Sequence, residues 1–179
     1  MPATLAIVPE GFEELEVVAP IDLLRRAGCE VVVASLAEDR LVTGRNGICL
    51  VADGPLSGVG DRVFDCLLLP GGPGVKLLRE DPRVVDLVRR QSSAGKWIAA
   101  ICAAPLVLHE AGILAGRRFT AHASIAGELP EPPTEERVVC DGKIITSRGA
   151  GTAIAFGLRI VAEICGPQAA ALVQTSIHA

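Results

Sequence analysis

The chain has 179 residues, half of them hydrophobic but only 3% aromatic, and carries a formal net charge of −4. That length suits one domain, residues 1–179, with a core of Val, Leu, Ile and Ala. The acidic balance offers no field for nucleic acid, and no apolar run nears the roughly 20 residues that span a bilayer. The N-terminus lacks the basic segment and apolar run of a secretory leader, because Glu10, Glu13, Glu14 and Glu16 arrive early, so a cytoplasmic location is expected.

Thr4–Val8 is a short apolar run, and after Pro9-Glu10-Gly11 a helical pattern extends to Ala27, where Gly28 stops it. Glu30–Ser35 (EVVVAS) reads as a second buried strand. Strand, helix, strand within 35 residues is a βαβ unit with parallel pairing. Between Leu41 and Val51, Asn46-Gly47 suits the type I′ turn of a hairpin. Asp65–Leu69 (DCLLL) is a third buried strand, stopped by Pro70-Gly71-Gly72-Pro73-Gly74, and helical pattern resumes from about Pro82 to Ala94.

Lys96–Ile101 is the next strand and runs straight into Cys102, after which Pro105 opens a helix over Leu106–Ala111. Gly127–Glu136, with three prolines and four glutamates, reads as a surface loop. Arg137–Cys140 and Lys143–Thr146 form a hairpin about Asp141-Gly142, Ala153–Cys165 is an apolar helix, and Pro167–Gln174 is a last short one. Alternating strands and helices with aliphatic strands predict an α/β sandwich: a mostly parallel sheet covered by helices on both faces.

The six cysteines stand at least 17 residues apart and form no CxxC pair, which removes the usual zinc and thioredoxin spacings. Reduced thiols, no metal and no cofactor are the expectation. Cys102 differs from the rest by its place, at the carboxyl end of a strand where ligands of open α/β sheets bind. A nucleophile on a strand-to-helix turn projects outward, Ala103 and Ala104 leave room beside it, and the helix N-terminus favours thiolate. The other five cysteines are read as core residues, the commonest fate of a free cysteine.

The glycine loop after DCLLL could bring backbone N–H groups to an oxyanion beside Cys102. On the first helix, Glu16 shares an apolar stripe with Ala19, Pro20, Leu23 and Ala27, while Glu13 leads a similar stripe through Val17, Pro20 and Leu24. A carboxyl on either stripe should have a raised pKa, and periodicity does not choose between them. His122 follows a short apolar stretch and is the best imidazole candidate, whereas His109 reads as a surface helix residue and His178 as part of a frayed tail.

Together, Glu10–Glu16 (EGFEELE), Leu69–Gly72 (LPGG), Ala99–Pro105 (AAICAAP) and Thr146–Thr152 (TSRGAGT) resemble the DJ-one/PfpI superfamily, in the branch named for a parkinsonism-associated protein. The resemblance implies a flavodoxin-like α/β sandwich that forms homodimers. It selects Glu16 as the acid bonded to the Cys102 nucleophile, and casts the backbone of Gly72 and Ala103 as the oxyanion site, with Gly71 shaping the loop. His122 matches the family's nearby histidine, Arg148 and Gly149 line the neighbouring loop, and Arg45 resembles an arginine that reaches across the dimer toward the partner's site.

The function implied is a cofactor-free glyoxalase or deglycase. Its partners would be methylglyoxal, glyoxal or early glycation adducts on protein side chains, and Cys102 would be oxidation-sensitive. The alternative is a redox sensor or stress chaperone signalling through oxidation of Cys102. Ala103 stands where the protease-like and chaperone-like branches have His or another polar residue, so peptidase activity is expected to be absent or feeble.

Overall fold

In the computed structural model, which describes residues 1–179, nine strands and six α-helices alternate along the chain. The strands are β1 (Ala3–Val8), β2 (Glu30–Ser35), β3 (Leu41–Thr43), β4 (Cys49–Val51), β5 (Gly54–Pro55), β6 (Cys66–Leu69), β7 (Trp97–Ile101), β8 (Val138–Asp141) and β9 (Ile144–Ser147). The helices are α1 (Glu14–Arg26), α2 (Val75–Glu80), α3 (Pro82–Ser93), α4 (Pro105–Glu110), α5 (Ala153–Ile164) and α6 (Pro167–Ser176). Seven strands form one sheet in the order β5-β2-β1-β6-β7-β9-β8, parallel except for the β8–β9 hairpin, and β3 pairs with β4 as a separate ribbon. This is the expected flavodoxin-like sandwich.

Strand alternation splits the core in two. Leu5, Ile7, Leu67, Leu69, Ile98 and Ala100 point to the face covered by α2, α3 and α4. Ala6, Val8, Cys66, Leu68, Ala99 and Ile101 point to the face covered by α1, α5 and α6. Both faces are buried, so the strands read as continuous apolar runs. The α1–α5 packing depends on Gly157, where a Cβ would stand 2.7 Å from Leu23 Cδ1 and 2.9 Å from Pro20 Cα. That close approach seats the helix that carries Glu16.

The structure departs from the sequence reading in several places. Helix α2 and the 3-10 turn over Ala123–Glu128, which enters the expected Gly127–Glu136 loop, have no counterpart in it. The hairpin loop is longer than a two-residue turn: Gly44 N–H donates to Ile48 O, and only Gly47, not Asn46, has positive φ, so the turn is not type I′. Among the cysteines read as core, Cys29 and Cys66 are buried, but Cys49 is exposed and Cys140 and Cys165 are half-buried. No helix is long and apolar enough to cross a membrane.

Candidate active site

The carboxyl edge of β7 turns abruptly at Cys102, whose φ of 64° lies in the left-handed region that side chains rarely occupy. Two backbone hydrogen bonds hold it there: Cys102 N–H donates 2.8 Å to Ser147 O at the end of β9, and His122 N–H donates 2.9 Å to Cys102 O. This is the geometry of a nucleophile elbow, in which surrounding structure over-determines one strained residue.

Two carboxylates compete for the site in sequence, and the fold separates their roles. Glu13 caps α1, its side chain accepting from Glu16 N–H at 3.0 Å. Glu16, only 1% exposed, points the other way, accepts 2.8 Å from Gly71 N–H and takes the hydrogen bond of the Cys102 thiol. Glu14 was not singled out by sequence. It binds Asn46 through backbone N–H at 2.7 Å and side-chain amide at 2.9 Å, which fastens the β3–β4 loop to α1. Arg45 sits in that loop, exposed, and its charge favours the ionised form of Glu16 in its own protomer.

Glycines create the room for this cluster. A Cβ on Gly71 would stand 2.5 Å from Glu16 Oε2 and 2.6 Å from Cys102 Cβ. Gly72, at φ 93°, would drive a Cβ to 2.6 Å from Gly11 O, so its N–H is free to turn toward the sulfur. A Cβ on Gly149 would meet His122 Cδ2 at 3.5 Å, Glu16 Oε1 at 3.7 Å and Cys102 Sγ at 3.9 Å. The Gly72 and Ala103 N–H groups face Cys102 Sγ and favour its ionised form, an arrangement that holds negative charge on or beside the sulfur.

His122 is exposed. Its Nδ1 lies 2.8 Å from Ser124 Oγ and accepts from Ser124 N–H at 3.2 Å, so one ring nitrogen is occupied as a helix cap. The Arg148 guanidinium bonds Glu135, through O and Oε2 at 3.2 Å each, and turns its charge to that loop. A cleft of about 720 Å³ adjoins the site through Gly72 and Ala103, lined further by Pro73, Lys76, Arg79 and Glu110.

The electrostatics correct one expectation. Burial pushes the Glu16 carboxyl up to about 7, opposed by the Cys102 hydrogen bond, the Gly71 N–H and Arg45. Burial first, then the charge and hydrogen bond of Glu16, push the Cys102 thiol up to about 12, against the Gly72 and Ala103 amides. The helix N-terminus therefore does not yield a free-standing thiolate: α4 is short, and desolvation outweighs it. Thiol and carboxyl act as one coupled pair, with Glu16 poised to lose or accept a proton near neutrality.

A strained cysteine elbow, a buried carboxyl on the thiol and two amides facing the sulfur define an α/β protein built around a cysteine paired with a carboxyl. Residues 3–163 match the DJ-1/PfpI family profile, and the chain belongs to that family. It is 37% identical to the Parkinson disease protein 7 homolog of Danio rerio, over 97% of this chain and 95% of that protein. It is 36% identical to glutathione-independent glyoxalase DJR-1.2 of Caenorhabditis elegans, over 93% of this chain and 90% of that one. Among solved structures, oxidized Toxoplasma gondii DJ-1 superposes with a TM-score of 0.94 at 35% identity, covering 99% of this chain and 98% of the other.

Proposed function

We propose that the protein is a cofactor-independent glyoxalase that converts methylglyoxal or glyoxal to the 2-hydroxy acid through Cys102, and reverses early glycation adducts by the same attack. The observation that carries this reading is the thiol–carboxyl pair of Cys102 and Glu16 beneath the Gly72 and Ala103 amides. The glyoxalase name of the nematode relative supports it.

As Cys102 Sγ attacks the aldehyde carbon, its proton passes to the Glu16 carboxylate, which already accepts the thiol hydrogen bond. The alkoxide that forms lies within reach of the Gly72 and Ala103 N–H groups and takes up a proton to give the hemithioacetal. A proton then leaves the thiol-bearing carbon and returns to the adjacent one, with Glu16 as carrier, which makes a thioester. Water hydrolyses the thioester and releases lactate or glycolate, restoring the thiol. His122 stands at the rim of this step rather than on the sulfur.

The test is lactate formation from methylglyoxal by purified protein without glutathione. Loss of turnover in Cys102→Ser supports the mechanism, and a rate that survives it refutes the mechanism. Sensing through oxidation of Cys102 is the second reading: the amides that face the sulfur would equally hold a sulfinate, and one similar structure is described as oxidized. A homodimer is also proposed, supported by the exposed Leu15 and Val18 on α1 and Ile48 and Val51 on the hairpin, with Arg45 nearby to serve a partner's site. A cytoplasmic location is part of the same reading.

A further inference from the structure

We infer that Glu14 is a positioning residue for the reaction: by clasping Asn46 it fixes the β3–β4 hairpin loop against the segment that holds the Gly71–Gly72 turn beside Cys102. The inference rests on the chemistry proposed for Cys102 and adds to it a residue that touches neither thiol nor substrate.

The hairpin needs such an anchor. Strands β3 and β4 pair only with each other and lie outside the seven-stranded sheet. A ribbon of three residues a side is marginal by itself, so its place on the molecule is set by what its loop bonds.

Three stretches of backbone stack at that point: residues 43–46 of the hairpin, residues 10–14 leading into α1, and residues 71–74 after β6. Between the first two, Gly11 N–H donates to Thr43 O and Arg45 N–H to Phe12 O, each at 2.8 Å, and Thr43 N–H donates to Glu10 Oε2 at 2.9 Å. Between the second and third, Glu13 N–H donates to Gly71 O and Gly74 N–H to Gly11 O, each at 3.1 Å. Glycines make both seams this tight. A Cβ on Gly44 would collide with the Glu14 carboxylate, and one on Gly74 with Glu10 O.

Glu14 closes the outer seam. Its side chain is buried, with Oε1 accepting from Asn46 N–H at 2.7 Å and Oε2 from Asn46 Nδ2 at 2.9 Å. Burial works to raise the carboxyl, but these bonds hold it below its ordinary value, so the clasp is charged at neutral pH.

The inner layer of the stack carries the chemistry. Gly71 is gripped at both ends, its N–H by Glu16 Oε2 at 2.8 Å and its carbonyl by Glu13 N–H. Gly72 follows with an amide that faces Cys102 Sγ, and Arg45, whose charge favours ionised Glu16, rides in the clasped loop. A loosened clasp therefore reaches the reaction through the donor to the alkoxide. The cleft walls at Lys76 and Arg79 lie outside the stack, so kcat should fall while KM holds.

The experiment compares Asn46→Asp, Asn46→Ala and the double variant Glu14→Gln/Asn46→Asp with wild type, by methylglyoxal kinetics and amide hydrogen exchange. Asn46 is exposed and Gln matches Glu in size, so no variant opens a cavity. Asn46→Asp sets a second carboxylate against Glu14 and should lower kcat about tenfold, with KM within about twofold of wild type. Asn46→Ala adds no charge and keeps the backbone bond, and should lower kcat about threefold. The double variant exchanges donor and acceptor across the clasp and should recover kcat. Exchange at Gly74 N–H, remote from both positions in sequence, should quicken about tenfold in Asn46→Asp and slow again in the double variant. Faster exchange at Arg45 N–H alone, with Gly74 and kcat unmoved, would confine the clasp to the hairpin and overturn the inference. A loss in Asn46→Asp without one in Asn46→Ala, or a double variant no better than the single one, would overturn it too. Exchange at Gly74 decides the matter even if wild type turns over no methylglyoxal, a result that would sink the proposed function alone.

Discussion

The two edges of the sheet hold the same functional group in opposite circumstances. At the carboxyl edge Cys102 is bent into positive φ, bonded to a carboxyl and faced by two amides. At the amino edge Cys29, Cys66 and Cys165 are surrounded by aliphatic side chains and by one another. Burial raises the thiol at both edges. What separates them is a base: Cys102 has a carboxylate that can take its proton near neutral pH, and the amino-edge thiols have none. Reactivity here is conferred by the neighbour that accepts the proton, rather than by an unusual sulfur.

The sharpest break of that contrast is Cys102→Ser, which should lower methylglyoxal turnover by about a thousandfold or more, while Cys66→Ser should leave it unchanged. A steady-state assay of the two variants decides it. Gly71→Ala comes next, because its methyl cannot coexist with Glu16 Oε2 and Cys102 Cβ. The displaced pair should cost about a hundredfold in kcat/KM, with a lower thermal midpoint in the same preparation.

Glu16→Gln should also cost about a hundredfold in kcat, yet should raise stability in alkali. The folded carboxyl titrates at about 7 against its ordinary 4.5, so its folded pKa is raised and its neutral form is favoured. Its contribution is therefore complete below pH 4.5 and disappears as pH rises through about 7. The variant should gain up to about 3 kcal/mol at pH 8 and nothing at pH 4, read by denaturant unfolding at the two pH values. Smaller still is His122→Ala, about twofold in kcat, since Ser124 already occupies one ring nitrogen and the ring is exposed. Arg45→Ala should move the acid limb of the pH–rate profile upward by a few tenths of a unit, because its charge favours ionised Glu16 across solvent.

Much of the carboxyl edge was legible in sequence because it is written in local signals. An apolar strand ending on Cys102, glycines after another strand, and Pro105 opening a helix each follow from short-range rules. Helix α2 was hidden since its six residues, VKLLRE, are too few to show a period between a glycine loop and Asp81-Pro82. Strand β5 is a Gly-Pro pair that only its neighbour β2 makes into a strand. The choice between Glu13 and Glu16 needed three-dimensional information, because their stripes are equivalent until one side chain caps the helix and the other meets Gly71. The proximity of Cys29, Cys66 and Cys165 is likewise a product of β1, β6 and α5 converging, which no spacing encodes. The thiol's raised pKa escaped for the same reason: a helix N-terminus is visible in sequence, and the depth of burial is not.

The most direct measurement is the rate of Cys102 alkylation by iodoacetamide as a function of pH, in wild type and Glu16→Gln. If Glu16 takes the thiol proton, the wild-type rate rises through a step near pH 7, and Glu16→Gln lacks that step and shows one rise above the free-thiol value, where burial alone holds the thiol. A single rise near the free-thiol value of about 8.5 in both proteins would contradict the coupled pair and leave Cys102 an ordinary cysteine at a strained turn.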